Sequence, residues 1–366
     1  MTMLDRMRRH RNWLKWSLGL VCLAFVIFYI PDFLRSSGAD AAASDTVAVV
    51  EGEQIRADEF RRTYQAQLQS YRAAYGGNMA ANGAIRLINL RDKTTTVIFP
   101  TATPKERWDK KTYAACPGPI DPAEQAAFRA HGLYLRDGGN RPHTLFVVHH
   151  GNRESIEVFE LDARAKPPAL TWIGCAVAPD PIGLNSVVGL PDGGFITTNF
   201  TARGMDAAGR GRMMAGENNG ELWEWHSDSQ WKKVPGSEAA GPNGLEISKD
   251  GKTLYIGGWG SQSVIRLSRG QTPATRDSVN VGFRVDNIRW APDGTLLAAG
   301  QGGAAPSQTS NVARVDPKTL KFEELVRYPN NPSFASGTVA IQMGSELWVG
   351  SVRGDRIAIF PAKPTK

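Results

Sequence analysis

The sequence predicts an all-β fold of the β-propeller type, because one local pattern occurs in it three times. Each copy contains a short apolar strand, an Asp-Gly turn and a second strand, with the turns at 192–193, 250–251 and 293–294. Asp-Gly between two strand-like runs is a strong hairpin signal, because glycine accepts the positive φ that primed turns need. Recurrence at about 40 to 60 residues is typical of propeller blades rather than of a sandwich.

A polar residue stands seven positions ahead of each of these turns, as Asn185, Asn243 and Asp286. The inner strands of a propeller run side by side around its axis, so these side chains are expected at one height near the centre. A ring of amide and carboxylate oxygens suits a hard cation such as calcium. The alternative interpretation is that these residues only cap turns by bonding to their own backbone.

The same register adds further residues to this predicted ring. His131 stands six residues ahead of an Asp-Gly pair at 137–138, and Asn287 directly follows Asp286. A Gly-Thr pair at 337–338 has the same relation to the Gly-Ser pair at 344–345. The pattern therefore predicts that side chains from four blades face one another.

Composition fits this fold and excludes one class of function. The 366-residue chain is 41% hydrophobic and contains 38 glycines and 22 prolines, as a turn-rich all-β body requires. The formal net charge is +7, but residues 1–35 contribute +4 of it, from six Lys and Arg against two Asp. The remaining +3 is spread over the rest of the chain, which is no nucleic-acid-binding surface.

An apolar run near the N-terminus predicts a single membrane span over residues 13–34. Basic residues cluster ahead of it, so the N-terminus is expected in the cytoplasm and the body on the other side of the inner membrane. A cleaved signal peptide is the competing interpretation. The small residues Ala39 to Ala43 that would support it lie roughly ten positions beyond the run, farther than a cleavage region reaches.

Two cysteines, Cys116 and Cys175, lie in the body of the chain, and Cys22 lies in the apolar run. In an oxidising compartment the first two could pair, but their spacing is equally compatible with two separate buried thiols.

The N-terminal region has its own organisation, with a hairpin predicted at 46–55 and an amphipathic helix at 57–75. Residues 1–79 resemble the start of membrane-anchored periplasmic foldases of the SurA and PpiD type. The features that carry this resemblance are the basic start, the span, the TVAVVEGEQI hairpin and the DEFRRTYQAQLQ helix. The resemblance implies membrane attachment and a periplasmic location, since no isomerase domain follows residue 79.

From residue 84 the chain is rich in strands and turns, which gives three predicted segments: 1–35, 36–83 and 84–366. Residues 84–361 resemble six-bladed calcium propellers of the arylesterase and paraoxonase type, related to gluconolactonase and the senescence-marker lactonases. The motifs are HGLYL (131–135), LFVVHHGNRESIEVFEL (145–161), GLNSVV (183–188), GPNGLEISKDGKTLYIGG (241–258), FRVDNIRWAPDG (283–294) and SGTVAIQMGSELWVG (336–350).

This resemblance implies roles for six side chains. The implied calcium ligands are Asn185, Asn243, Asp286 and Asn287. The implied proton-relay pair is His131 and His150. His149 precedes His150 on the same strand and is expected to point to the opposite face, in a structural role.

The sequence departs from the resembling family at the first blade. The family supplies a further carboxylate there, at a place that foldase-like sequence occupies in this chain. Glu51 and Glu53 are nearby, but they belong to the hairpin at 46–55. The sequence thus leaves open whether the first blade is complete and whether a carboxylate completes the calcium shell.

These observations predict a membrane-anchored, periplasmic, calcium-dependent hydrolase of lactones or aryl esters. The cation would polarise the substrate carbonyl, and a histidine with a pKa near 6.5 would activate water. The chain contains no GxSxG turn, zinc-binding helix, P-loop or paired-carboxylate glycosidase signature. The alternatives are a noncatalytic propeller that binds a partner at its rim and a remnant foldase-like chaperone. The Gly- and Met-rich stretch at 201–220 is either a substrate lid or an uninvolved excursion.

Overall fold

The hairpin predicted at 46–55 is present in the computed structural model of the chain. Its strands β1 (Thr46–Val50) and β2 (Glu53–Arg56) pair antiparallel. The structure describes residues 46–50, 53–56, 83–121, 128–304, 306–354 and 356–362. The chain divides into two compact units, Met1–Gln69 and Ser70–Lys366, and this hairpin belongs to the first.

The predicted membrane span at 13–34 and the predicted helix at 57–75 lie outside the described residues. Among the residues that are described, no helix combines the length and the apolar character that crossing a membrane requires.

The second unit is built from antiparallel sheets. A two-stranded sheet contains β3 (Ile85–Ile88) and β4 (Thr95–Phe99). Blade A contains β6 (Arg129–Arg136), β7 (His143–His150), β8 (Ser155–Asp162) and β9 (Ala169–Val177), with β5 (Lys105–Glu106) parallel to β9 at its edge. Blade B contains β10 (Leu184–Gly189), β11 (Phe195–Asn199), β12 (Glu221–His226) and β13 (Gln230–Lys233). The helix α1 (Ala207–Met214) lies between β11 and β12 in the chain.

Three further blades complete the propeller in chain order. Blade C contains β14 (Pro242–Ile247), β15 (Thr253–Gly258), β16 (Ser263–Ser268) and β17 (Arg276–Asn280). Blade D contains β18 (Arg284–Trp290), β19 (Leu296–Gly302), β20 (Thr309–Val315) and β21 (Phe322–Pro329). Blade E contains β22 (Phe334–Met343), β23 (Glu346–Gly354) and β24 (Ala358–Pro361). The first strands of the blades pack side by side in the order β6, β10, β14, β18 and β22.

The fold is therefore an all-β propeller, but the described residues form five blades rather than the predicted six. The β3–β4 hairpin stands between blade E and blade A. Lys93 of the hairpin pairs with Glu346 of blade E at 3.0 Å. On the other side, the Phe99 ring packs edge-on against the rings of Phe128 and Phe159, at centroid distances of 4.7 and 4.9 Å.

Within the described residues this hairpin is not extended into a four-stranded blade, and the chain that follows it pairs elsewhere. β5 pairs with the edge of blade A instead of with β4. The residues after it also attach to blade A, since Asp109 N donates to Ile173 O at 2.9 Å. The sequence predicted strands after residue 84, but it did not show which strands pair with each other.

The Asp-Gly pairs form hairpin turns as predicted, but the turns are longer than two-residue primed turns. In blade C, Ser248 N donates to Thr253 O, and Gly251 N donates to Ser248 O, both at 2.8 Å. Gly251 has φ 73° and is the last of the four residues of this turn. A primed turn would instead need a positive φ at its central residues. Asp250 accepts hydrogen bonds from Ser248 Oγ and Lys252 N. In blades B and D the turn glycine also donates to the residue three positions earlier.

The core lies between neighbouring blades, where apolar side chains from two sheets interdigitate. Between blades A and B, Phe146 and Phe195 are fully buried with ring centroids 5.8 Å apart. Phe195 also stacks on Trp225 at 5.1 Å. The Phe146–Phe195 contact joins blades A and B, whereas the Phe195–Trp225 contact lies within blade B.

Cys116 and Cys175 form a disulfide with a Cα–Cα distance of 5.2 Å. This settles the alternative that the sequence left open. Both side chains are buried in the core of blade A. The bond ties the segment after β5 to β9, across a sequence separation of 59 residues.

Replacing both cysteines by alanine is expected to lower the free energy of unfolding of the propeller by about 2–4 kcal/mol, because the released chain gains loop entropy in the unfolded state. Urea unfolding with and without reductant checks this. Reductant should destabilise the wild type and leave the double variant unchanged. Equal effects of reductant on both proteins would contradict the prediction.

Candidate active site

Five β-bulges place the candidate site residues around the propeller axis. The inner strand of each blade has a register shift at the corresponding position, in the stretches that contain His131, Asn185, Asn243, Asp286 and Thr338. A bulge inserts an extra residue and redirects a side chain out of the regular alternation, and bulges are frequent next to active sites. The common register that the sequence indicated thus corresponds to a repeated backbone feature.

One cavity of about 760 Å³ contains these side chains. Of the six predicted site residues, five line it, namely His131, Asn185, Asn243, Asp286 and Asn287. His150 is not part of the lining, but it contacts His131 directly from behind. The structure therefore brings all six together, from blades A, B, C and D.

Asp286 is the carboxylate of this cavity, and its surroundings leave its charge uncompensated. Oδ2 accepts a hydrogen bond from Gln301 Nε2 at 2.9 Å, and Oδ1 accepts one from Asn287 Nδ2 at 2.9 Å. Burial raises the pKa of Asp286 to about 7, and the hydrogen bond from Gln301 only partly opposes this. A cation at this carboxylate would supply the missing opposite charge.

The amide side chains around Asp286 supply further oxygens. Asn243 is 4% exposed, and its Oδ1 is buried without a hydrogen-bond partner. A buried acceptor without a partner is costly, so this oxygen fits a ligand position. Asn185 is also buried, and Asn287 donates through Nδ2 to Thr338 O at 3.1 Å, which leaves its amide oxygen as the candidate ligand.

The oxygen atoms of these side chains are of the kind that calcium binds, but they carry little negative charge. Hard cations take amide, carbonyl and carboxylate oxygens, which is what the cavity presents. Among the described residues no three His, Cys, Asp or Glu side chains are grouped as a metal site would require, and Asp286 is the single carboxylate of the cavity lining. Glu51 lies outside the described residues, and Glu53 is on β2 of the first unit.

A chain of hydrogen bonds leads from the cavity to a carboxylate. His131 Nδ1 lies 2.9 Å from His150 Nε2, and His150 Nδ1 lies 2.9 Å from Glu154 Oε2. The other oxygen of Glu154 accepts a hydrogen bond from Leu184 N at 2.6 Å. Since Glu154 is only 9% exposed and held at both oxygens, it fixes the orientation of the His150 ring.

The tautomers of both histidines follow from this chain. The Glu154 carboxylate accepts a hydrogen bond from His150 Nδ1–H, so the His150 ring presents a lone pair at Nε2. That lone pair accepts a hydrogen bond from His131 Nδ1–H. Nε2 of His131 is left as the ring's free lone pair, which is the form that a general base needs.

His131 differs from the ordinary histidine that the sequence suggested. Desolvation in the walls of the cavity, followed by repulsion from His150, lowers the pKa of His131 to about 4, and Glu154 opposes this. The His131 imidazole is therefore neutral at neutral pH. The sequence predicted a pKa near 6.5 because it revealed neither the desolvation of the His131 ring nor its contact with His150.

Glu154 is the functional candidate that sequence reasoning missed. Its signal was present, because Glu154 lies four residues after His150, at the other end of the turn between β7 and β8. The pairing of His149 with Ser155 shows how closely the two ends of that turn approach. Residues that flank a tight turn are neighbours, so a hairpin predicted across 149–155 would have placed the two side chains together.

His149 has the structural surroundings expected for the opposite face of β7. It is fully buried and stacks on Phe128 at 4.9 Å, and its Nδ1 accepts a hydrogen bond from Arg129 N at 3.2 Å. Asn152 contacts its other nitrogen at 3.2 Å.

The Gly- and Met-rich stretch contributes to the cavity entrance. Asp206 caps α1 by accepting a hydrogen bond from Gly209 N, and Met213 is buried. Met214 is 49% exposed and lines the cavity together with Phe200. Of this segment, Met214 thus contributes a side chain to the cavity lining.

Comparison with known proteins supports the two parts of the chain unequally. Residues 3–96 match a family model described as a SurA-like N-terminal domain, which confirms the SurA-like character of the N-terminal region. The match extends beyond the predicted limit at 79 and includes β3. No curated protein matches the chain.

Solved propeller structures are similar to this chain at low identity. The calcium-binding protein regucalcin from Agrobacterium tumefaciens is 14% identical, with a TM-score of 0.43, over 75% of this chain and 77% of that chain. A putative 6-phosphogluconolactonase from Bacteroides fragilis is 16% identical, with a TM-score of 0.39, over 62% and 65%. A luciferin-regenerating enzyme is 14% identical, with a TM-score of 0.42, over 75% and 87%. Likenesses this weak do not establish an activity for this chain.

Proposed function

We propose that the propeller hydrolyses lactones or aryl esters with the help of a bound calcium ion. The observation that carries the proposal is the convergence of two features on one cavity. One is the hydrogen-bonded chain His131–His150–Glu154, and the other is the unpartnered Oδ1 of Asn243 in the same cavity as the buried Asp286 carboxylate.

The residues that would hold calcium are Asn185, Asn243, Asp286 and Asn287. A cation there would polarise the substrate carbonyl and stabilise the oxyanion. His131, neutral at neutral pH, would take a proton from the attacking water at Nε2. His150 and Glu154 would hold its ring in the correct tautomer and stabilise the positive charge that it then carries.

The apolar rim favours substrates with an aryl or alkyl group. Phe200 and Met214 line the entrance, together with Val352, which is 53% exposed. Exposed apolar side chains at the mouth of a polar cavity are typical of a site that binds a partly apolar ligand.

Calcium titration and hydrolysis of a lactone and aryl-ester panel by the full-length protein test this proposal. With a single carboxylate in the shell, we expect a Kd on the order of 10⁻⁴ to 10⁻³ M. Chelation should abolish turnover, and Asn243→Ala should lower kcat/KM by about 100-fold. Turnover that is insensitive both to chelation and to Asn243→Ala would refute the metal-assisted mechanism.

A second candidate is a noncatalytic propeller that binds a small molecule or peptide at its rim. The single carboxylate in the cavity favours it, because one charge gives a weak cation site. Absence of turnover on the whole panel, with calcium saturating, would select this candidate. A remnant foldase-like chaperone rests on the SurA-like match at 3–96 alone.

The location is also a proposal: attachment to the inner membrane through residues 13–34, with the N-terminus in the cytoplasm and the propeller in the periplasm. The Cys116–Cys175 disulfide supports it, because disulfides persist in oxidising compartments. Membrane fractionation, followed by protease treatment of cells with a permeabilised outer membrane, checks it. A propeller that sediments with membranes and is degraded only after permeabilisation is the expected result.

A further inference from the structure

Arg284 is a cation in the cavity wall whose partners are unusual. It begins β18, two residues ahead of Asp286, and it lines the cavity. Its guanidinium carbon lies 4.5 Å from the ring centroid of Trp259. One of its terminal nitrogens, Nη1, is buried without a hydrogen-bond partner, and no carboxylate of the described residues forms a salt bridge with Arg284.

The position of this guanidinium is fixed relative to the candidate cation site. Trp259 Nε1 donates to Gln301 Oε1 at 2.9 Å. Gln301 Nε2 donates in turn to Asp286 Oδ2 at 2.9 Å and to Gly337 O at 2.8 Å. The ring that Arg284 stacks on is thus connected through one amide to the carboxylate of the site. A cation held this way loses little freedom when it binds an anion.

The charges that line the cavity do not balance. Arg289 is accounted for, because it lies 3.6 Å from Glu246 and donates to Leu133 O at 3.0 Å. Arg284 and Arg353 both line the cavity, and Asp286 is the only acidic residue in its lining. A bound cation at Asp286 would add further positive charge. A positively charged cavity concentrates anions.

We propose that Arg284 binds a carboxylate of the substrate, so that the preferred substrates are lactones or esters with a free carboxylate group. The substrate preference rests on the proposed hydrolytic function, whereas the binding of a carboxylate by Arg284 does not depend on it. The planar guanidinium can form two parallel hydrogen bonds to one carboxylate. Such a carboxylate would give the buried Nη1 of Arg284 a hydrogen-bond partner. A single carboxylate suits the described lining better than a phosphate, because Arg284 is the one lining arginine that an aromatic ring holds in place. Arg353 is on β23 and supports the charge without the fixed stacking of Arg284.

Two esters that differ in one charged group test this inference. They are the para-nitrophenyl monoester of glutarate and para-nitrophenyl pentanoate, which have the same acyl chain length and leaving group. In Arg284→Met, the ratio of kcat/KM for the charged ester to that for the neutral one should fall roughly 10- to 100-fold, because one charge-assisted pair is lost. Arg284→Lys should restore part of the ratio. Arg164→Met removes the same charge from a side chain that is 73% exposed on blade A, and it should leave the ratio unchanged.

Calorimetry with glutarate and with inorganic phosphate separates binding from turnover. Glutarate should bind the calcium-loaded wild type at least 10-fold more tightly than Arg284→Met, with a thermal melt to confirm that the variant is folded. If neither ester is hydrolysed but glutarate binding depends on Arg284, the proposed function fails and the carboxylate site stands. An unchanged affinity for glutarate in folded Arg284→Met would overturn the inference. So would a preference of the wild type for inorganic phosphate over glutarate.

Discussion

Asp286→Asn is expected to abolish calcium-dependent hydrolysis and, in calcium-free buffer, to make the propeller more stable at alkaline pH. The reason is the burial that raises the pKa of Asp286 to about 7 from an ordinary value of 3.8. The folded protein holds a proton on this group that the unfolded chain has already released. The free energy of unfolding therefore falls as pH rises from about 4 to about 7.

Asparagine has nearly the same shape and cannot ionise, so the variant should lose this fall in stability. At about pH 8 the metal-free variant should exceed the metal-free wild type by on the order of 2 kcal/mol. Calcium should stabilise the wild type most above about pH 7, where Asp286 is ionised, and should not stabilise the variant. Hydrolysis should fall by at least about 100-fold, as for other losses of a group that stabilises developing charge.

Urea unfolding across about pH 5 to pH 8, with calcium and with a chelator, measures both effects. Glu246 needs a control, because burial raises its pKa to about 7 as well and Arg289 only partly opposes this. Its contribution has the same sign. Glu246→Gln should flatten part of the pH dependence and keep the stabilisation by calcium. A wild type and an Asp286→Asn variant with equal calcium stabilisation would exclude Asp286 as a ligand.

The sequence located the candidate site well because the hairpins fixed its register. Once the Asp-Gly turns at 192–193, 250–251 and 293–294 were recognised, a constant distance along the chain corresponded to a constant height on the inner strands. This is why Asn185 and Asn243 reach one cavity from separate blades. The bulges that direct their side chains inward could not be predicted, since an extra residue leaves no mark in an apolar strand.

The residues that complete the site come from second strands and loops. Gln301 is on β19 and becomes a neighbour of Asp286 only through the pairing of β18 with β19. Trp259 follows β15 of blade C, and its ring contacts Arg284 of the adjacent blade D. Contacts of this kind depend on the angle between blades, which the packing of the core determines. Sequence periodicity describes one strand at a time and does not contain that angle.

The predicted six blades are not confirmed, and the described part of the first blade, whose completeness the sequence left open, is the β3–β4 hairpin. The runs at 85–88 and 95–99 are strands, as their alternation indicated. A blade needs further strands to pair with, and the chain after Phe99 pairs with β9 of blade A instead. The Cys116–Cys175 disulfide, which the sequence had left open, stabilises this attachment of the chain to β9.

The histidine chain gives the second large prediction, which concerns the pH dependence of turnover. Desolvation and the neighbouring His150 lower the pKa of His131 to about 4. His131 would therefore lose its proton, and become able to act as a base, well below the pH at which an ordinary histidine does. At saturating calcium, the acid limb of kcat/KM should lie near pH 4 to 5 rather than near 6.5. His131→Gln should lower kcat by about 100-fold or more and remove this limb.

Glu154→Gln distinguishes a positioning role from a purely structural one. The Glu154 carboxylate raises the pKa of His131, against the two larger effects. Removing its charge should therefore move the acid limb to still lower pH, while kcat falls about 10-fold because His131 is a weaker base in a less fixed tautomer. Glu224→Gln is the matched control, since Glu224 also contacts a histidine, His226 Nε2 at 2.7 Å, but does not line the cavity. It should change neither kcat nor the limb. A fall in kcat for Glu154→Gln without any movement of the limb would mean that Glu154 acts only on the backbone at Leu184, and the relay would then end at His150.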